Sequence, residues 1–335
     1  IKYMPEKLEQ ASNFANKIWN AAKFIIMNIP DEEKVKEFGN KVYNKENKTY
    51  NSALLNIEDK WILNKLDKLI ADVTRNIDNY DLGVALDKIY SFIWNEFCDW
   101  YIEMCKSRIY SENEDSKIAV SYILNYVFTT SLKLLHPFMP FVTTEIYDKL
   151  VKDEDKNLII SQWPDVKEKF VFDKEELALE KIKEIIVGIR NIRSTKNIHP
   201  SKKSMLIIIS AKYKKELEEA QEILLKLGFA DKIQIVENIN EVEEKEATQN
   251  SMSIILSDVE VYIPLKGLID IEEEKARLTS EIARLENEVA RGEKMLSNPG
   301  FVNKAPEAKV NEEKEKLKNY KEMLSSAKER LEKLN

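Results

Sequence analysis

Between Asp81 and Tyr110 apolar side chains fall at Leu82, Ala85, Leu86, Ile89, Ile93, Phe97, Trp100, Tyr101 and Met104. This i, i+3, i+4, i+7 spacing predicts a helix, and Tyr90, Trp94 and Cys98 widen its stripe. A helix apolar around so much of its girth must be wrapped by others, which predicts an all-helical bundle with this element at its centre. Asp81 is placed to accept from the free amides of the first turn, Gly83 is an early weak point, and Lys106 and Arg108 sit at the carboxyl end, where cations suit the dipole.

The helices around it follow from the same periodicity. Residues 6–28 carry Leu8, Ala11, Phe14, Ala15, Ile18, Ala22, Ile25 and Ile26 on one side, and Pro30 ends that helix. Residues 31–57 are polar and predict one short helix over 32–42 and otherwise loop. A long helix over 58–79 is buried through Ile62, Leu66, Leu69, Ile70, Val73 and Ile77. Its tight connection to the central helix makes the two antiparallel neighbours. Asp115 is the expected cap of a helix running to Leu135. In HPFMPF, Pro137 is expected to push His136 out of helical geometry, and a last bundle helix restarts toward Leu150.

The texture then changes. Residues 158–164 read as a short strand or extended segment, with Trp163 as a plug against the bundle, and 175–196 as an amphipathic helix carrying Arg190, Arg193 and Lys196. Strands over 205–210 and 232–237 flank a helix over 214–227, and Ser257–Asp258 turns a hairpin within 253–265. Few strands and no phosphate loop make this a small α+β module.

From Leu268 the period becomes seven. The core positions are Ile271, Lys275, Leu278, Ile282, Leu285, Val289, Gly292 and Leu296, then, after SNPGFVNKAP, Val310, Leu317, Tyr320, Leu324, Ala327, Leu331 and Leu334. Two helices and a turn predict an antiparallel coiled-coil hairpin. Glu272, Glu286 and Glu293 should face Lys314, Lys321 and Lys328 along one seam; Glu274, Glu281 and Glu288 should face Lys309, Lys316 and Arg330 along the other. Each exposed pair is worth about 0.2–1 kcal/mol, but like charges would oppose the parallel pairing. The fold class is therefore mainly α, with a helical bundle over 1–173, a small α+β linking module over 174–267 and a coiled-coil arm over 268–335.

Composition narrows the function classes. With 43% apolar and 33% charged residues the chain reads as a soluble helical protein, no apolar run approaches bilayer length, and the expected location is cytoplasmic. Cys98 and Cys105 would lie roughly 10 Å apart on one helix, too far to bridge, so they are read as core thiols. Two histidines exclude a histidine-rich metal site, and scattered glycines exclude a Walker loop or GxGxxG. His136, with no carboxylate or nucleophile beside it in sequence, reads as a packed bend residue. The net charge of −7 opposes indiscriminate nucleic-acid coating but permits a local basic face. The opening at Ile1 reads as a piece of something longer.

Two polar rows stand out. Arg277, Arg284 and Arg291 repeat at one heptad position beside Ala276, Ala283 and Ala290, a strip of arginine forks next to small side chains that suits a phosphate backbone; Lys294 and Lys304 lie near the tip. In the first helix Asn13, Lys17, Asn20 and Lys23 form a row beside Phe14 and Trp19, offering edges to hydrogen-bond and a plane on which an unstacked base could lie. Lys106 and Arg108 complete the candidate RNA-contacting set. The same rows also suit ordinary solvated helix faces, and a scaffold whose arm binds another protein helix is the alternative from a different class.

Three segments carry a family resemblance: HPFMPFVTTEIYDKL, NFANKIWNAAKF and FIWNEFCDWYIEMCKSRIY. They resemble the anticodon-binding helical domain of class I aminoacyl-tRNA synthetases of the valine, isoleucine and leucine group. The terminal hairpin, with LSNPGFVNKAP at its tip, resembles the coiled-coil arm of valyl-tRNA synthetases. The resemblance implies tRNA(Val) as partner, with the Asn13–Lys23 row on the anticodon side and Arg277, Arg284, Arg291 and Lys294 on the outer corner, where D and T loops meet. It implies no membrane, no DNA and a monomer. One departure is Ser12, where the family usually has arginine, so a phosphate contact there is lost or supplied by Lys17 or Lys23. No HIGH-type motif, KMSKS loop or editing domain is found. The expectation is no catalytic residue, metal or cofactor here, with ATP and Mg belonging to a catalytic domain elsewhere and this polypeptide inactive alone in valine activation.

Overall fold

The computed structural model describes residues 5–332, apart from 45, 47–48, 152–156, 167–170, 244–247, 249–250, 265–267, 269–270, 299 and 301–306. Helix α1 (Pro5–Asn28) and α2 (Glu32–Val42) are separated by Pro30; Asp31 caps α2 by accepting from Glu33 N at 3.0 Å and Lys34 N at 3.2 Å. Phe14, Ile18, Ala22 and Ile25 of α1 are buried as their spacing requires, whereas Leu8, Ala11 and Ile26 are exposed. Where a loop was expected after α2, strands β1 (Tyr43–Asn44) and β2 (Thr49–Tyr50) form a minimal antiparallel pair with Tyr43 opposite Tyr50.

Helix α3 (Ile57–Asp78) turns sharply into the central element. Tyr80 adopts φ 63°, and Asp81 N–H bonds to Asn76 O. The Asp81 side chain makes no cap bond, contrary to expectation, because its backbone (φ −84°, ψ 55°) is outside the extended geometry that aims a cap at the first turn. The central element is α4 (Leu82–Ser91), a wide π-helical stretch (Phe92–Tyr101) and α5 (Ile102–Ile109). Its single α-helical period therefore needs correcting: Ile102 N–H reaches Phe97 O, five residues back. Phe97 and Tyr101 are fully buried there, with Phe97 stacked on Phe128 at 5.4 Å.

Helix α6 (Glu114–Leu135) is capped by Asn113, whose Oδ1 accepts from Ser116 N at 3.1 Å, and not by Asp115, which lies inside the first turn. By length and composition α6 could cross a membrane, correcting the expectation that no run could; 72% of its apolar window is buried inside the bundle. His136 remains helical (φ −52°, ψ −41°) despite Pro137, because Phe138 and Met139 N–H groups both close onto Leu135 O in a tight turn. The chain then enters α7 (Pro140–Leu150), and His136 Nδ1 lies 2.9 Å from Thr143 Oγ1. Residues 158–160 form a 3-10 turn and no strand; Trp163 donates to Thr74 Oγ1 at 2.8 Å, against α3. Cys98 and Cys105 are free thiols, and burial pushes Cys98 up to about 12.

Helix α8 (Asp173–Thr195) serves two layers. Toward α3, Asn64 Nδ2 donates to Asp173 at 3.0 Å and Glu176 at 2.6 Å, and Trp61 Nε1 to Glu180 at 3.0 Å; toward the central element, Lys183 pairs with Glu96 at 2.7 Å. Toward the sheet, Gly188 lets Ile254 approach so closely that a Cβ would meet it at 3.0 Å. The sheet has strand order β4-β3-β6-β5, from β3 (Ser204–Ile209), β4 (Ala230–Val236), β5 (Ser251–Leu256) and β6 (Val259–Pro264). β3 and β4 are parallel and the other pairings antiparallel, and Asp258 (φ 68°) sits in the hairpin turn. The helix expected over 214–227 is broken at Ala220 into α9 (Lys214–Glu219) and α10 (Gln221–Leu227). One apolar core runs without interruption from Phe14 through α8 to Ile263.

The arm consists of α11 (Ile271–Leu296) and α12 (Glu307–Glu332). Leu278, Ile282, Leu285, Val310 and Ala327 are buried at predicted core positions; Leu334 lies outside the described residues. Glu293–Lys321 and Glu286–Lys328 pair at 2.6 Å each, as one seam predicts. On the other seam Lys316 turns to Glu312 and Glu313 of its own helix, and Glu288 to Arg291.

A buried charge cluster ties the bundle together. Arg108, 6% exposed, donates from Nη1 to Glu58 Oε1 at 2.8 Å and to both Asp59 oxygens at 2.9 and 2.8 Å. Tyr101 Oη donates to Asp59 Oδ1 at 2.6 Å, and Asn56 N to Asp59 Oδ2 at 3.2 Å. Arg108→Met leaves two buried carboxylates unpaired and should lower stability by about 3–5 kcal/mol in urea unfolding; an unchanged midpoint would contradict the cluster's role. Burial, helped by the neighbouring Asp59 charge and only partly offset by Arg108, raises the Glu58 carboxyl above its ordinary value. The native state thus holds a proton that the unfolded chain has released, so this group's contribution weakens as pH rises through the window between the two values. Glu58→Gln should therefore gain stability relative to the unaltered chain at pH 7, and that gain should shrink toward acid pH.

Candidate nucleic-acid interface

The polar row on α1 is only partly available. Asn13, Asn20 and Lys23 are exposed along one face, separated by whole helical turns. Lys17 is half-buried: it pairs with Asp99 at 2.5 Å and lies over the Trp94 ring at 3.9 Å. Phe14 is 3% exposed, its ring centroid 4.5 Å from Tyr90 and 6.4 Å from Trp94. It cannot offer a face to a base, because the ring is buried in the junction between α1 and the central element.

Lys106 and Arg108 divide in the same way. Arg108 does sit in the last turn of α5, but its guanidinium is interior and committed to Glu58 and Asp59, so it is not available to an RNA. Lys106 pairs with Glu103 at 2.6 Å but remains partly open to solvent.

On the arm the repeat reaches the surface. Arg284 and Arg291 are exposed beside exposed Ala283 and Ala290, and Lys294 continues the basic strip. Arg291 makes one long contact to Glu288 at 3.5 Å with its side chain 75% exposed, so its donors remain accessible. The Arg277 and Ala276 side chains lie outside the described ones, as does Lys304. At Gly292 the partner helix comes close: a Cβ would stand 3.1 Å from Leu317 Cδ1. Glycine there keeps the two helices in contact below the strip. Among the described residues no group of three or more His, Cys, Asp or Glu side chains is arranged to hold a metal ion.

This division of charge supports a binding surface built on two units, and comparison with known proteins agrees. Residues 59–211 match the anticodon-binding domain of tRNA ligase, and residues 270–335 match the valyl tRNA synthetase tRNA binding arm. Fold and matches together define an aminoacyl-tRNA synthetase tRNA-binding unit: an anticodon-binding domain joined to a coiled-coil arm. The chain is 40% identical over 334 residues to a valine–tRNA ligase of Clostridium tetani, covering 100% of this chain and 36% of that protein. It is also 40% identical to the valine–tRNA ligases of Clostridium acetobutylicum over 332 residues (99% and 36%) and Staphylococcus carnosus over 337 residues (100% and 36%). The chain belongs to the valyl-tRNA synthetase family, and it spans about a third of the length of these relatives.

Two substitutions on α1 separate its structural and exposed positions. Phe14→Ala should cost about 3–5 kcal/mol of stability, whereas Lys23→Gln should leave the unfolding midpoint within about 0.5 kcal/mol and lower affinity for RNA. Equal effects of the two on stability would contradict the assignment.

Proposed function

We propose that this chain is the tRNA-gripping part of a valine–tRNA ligase. It holds tRNA(Val) at two places: the bundle, through Asn13, Asn20 and Lys23, on the anticodon side, and the arm, through Arg284, Arg291 and Lys294, at the outer corner. The observation that carries this reading is the pairing of an anticodon-binding domain with an arm whose arginine strip is left exposed. Its role is to orient the RNA while ATP- and Mg-dependent attachment of valine takes place on polypeptide that the longer relatives possess. In this reading the chain acts as a monomer in the cytoplasm, without membrane or DNA partners and without a cofactor of its own.

Phosphate contacts dominate such binding, so affinity should fall steeply with salt. Arg284→Glu with Arg291→Glu should weaken tRNA(Val) binding at least tenfold in a filter-binding series at two salt concentrations. Exchange of the anticodon bases should weaken binding independently. Unchanged affinity of the arm variant in dilute buffer would remove the arm from the mechanism; indifference to the anticodon would remove the α1 row.

A further inference from the structure

Most cations of the bundle are already spent. Lys17, Lys34, Lys60, Lys65, Lys68 and Lys88 each hold a carboxylate within 4 Å. A different population gathers where α8 and α10 end and the parallel strands β3 and β4 begin. Lys196 follows α8, Lys202 and Lys203 lead into β3, Lys226 is in the last turn of α10, and Lys232 is on β4 opposite Met205. None of these five makes an ion pair among the described residues, and all but Lys196, which is half-buried, are exposed.

The fold fixes this grouping through two arginines. Arg193, 4% exposed, donates from Nη2 to His199 O at 2.9 Å and to Lys202 O, pinning the 199–202 loop to the end of α8. Arg190 lies over Trp100 at 5.5 Å, and its Nε donates to Leu227 O at 3.4 Å, fastening α8 to the end of α10. The lysines on the two loops are therefore held together by backbone contacts and do not merely happen to share a surface. Among the acids near these lysines, Glu103, whose charge reaches Lys226, is already paired with Lys106, Glu222 lies one turn before Lys226 on α10, and Asp231 adjoins Lys232 in β4. Lys226 also feels the Lys106 charge: burial first, and then this repulsion, lowers its affinity for a proton.

Like charges kept together without an ion-pair partner among the described residues, on a chain of net charge −7, raise the folded state's free energy unless an anion covers them. Several lysines spread along one edge suit a run of phosphates better than a single small anion. We propose that this edge of the α+β module is a third contact for the RNA phosphate backbone, made chiefly by Lys202, Lys203 and Lys226. The inference rests on the tRNA-binding reading above and extends it to a module for which sequence patterning offered no RNA contact.

The test is a triple variant, Lys202→Gln, Lys203→Gln and Lys226→Gln, in the full chain. A control variant, Lys149→Gln, Lys212→Gln and Lys215→Gln, makes the same change in net charge on other surfaces. Both should melt as the unaltered chain does. The slope of log affinity for tRNA(Val) against log salt should fall by about 2–3 in the first variant, one released counterion per lost contact, with at least a tenfold loss of affinity, and should hardly change in the control. Equal slopes for both variants would overturn the third contact while leaving the arm and anticodon contacts standing. Failure of the unaltered chain to bind tRNA would overturn the underlying reading and this inference with it.

Discussion

The bundle depends on one guanidinium placed between two carboxylates in the interior. Glu58 and Asp59 open helix α3, and Arg108 closes the central element, so their contact at 2.8–2.9 Å fixes the start of one long helix against the end of the next. Burying three ionisable groups is costly, and Tyr101 and Asn56 reduce that cost by satisfying the remaining Asp59 oxygen positions. The register of the two helices matters, because α3 carries the Asn64, Trp61 and Lys68 contacts that seat α8, and α8 in turn carries the sheet.

Basic residues sort by the same rule of compensation. Where a carboxylate is within reach, as for Lys17 with Asp99, the cation stabilises the protein and loses much of its pull on a distant phosphate. Where no ion pair forms among the described residues, as for Arg284 and Lys23, the charge is directed to solvent. Net charge alone opposes only indiscriminate nucleic-acid coating. What decides is the distribution, with acids consumed inside pairs and a minority of cations concentrated on a few surfaces.

Periodicity was a sufficient guide where burial repeats strictly. The arm's core positions, its Glu286–Lys328 and Glu293–Lys321 seam and the α1 core of Phe14, Ile18 and Ile25 all follow from spacing. It failed where geometry departs from an ideal helix: the π-helical turn at 92–101, the break at Ala220 and the helical His136 before proline. For the candidate interface, sequence distinguished polar from apolar but could not reveal pairing. Arg108 lies 49 and 50 positions from its two partners, so nothing local marks it as interior, and Phe14 looks like a stacking platform until Tyr90 and Trp94 are seen against it. The basic edge of the α+β module was hidden for a similar reason. Its lysines are scattered between positions 196 and 232 and meet only because β3 and β4 run parallel from the same edge.

The central claim is that one polypeptide grips a folded RNA at separated surfaces. Hydroxyl-radical footprinting of tRNA(Val) bound to the full chain in dilute buffer tests it most directly. The account predicts separate protected backbone tracts, one in the anticodon loop and one at the corner formed by the D and T loops. A single protected tract, or cleavage indistinguishable from that of free RNA, would contradict it.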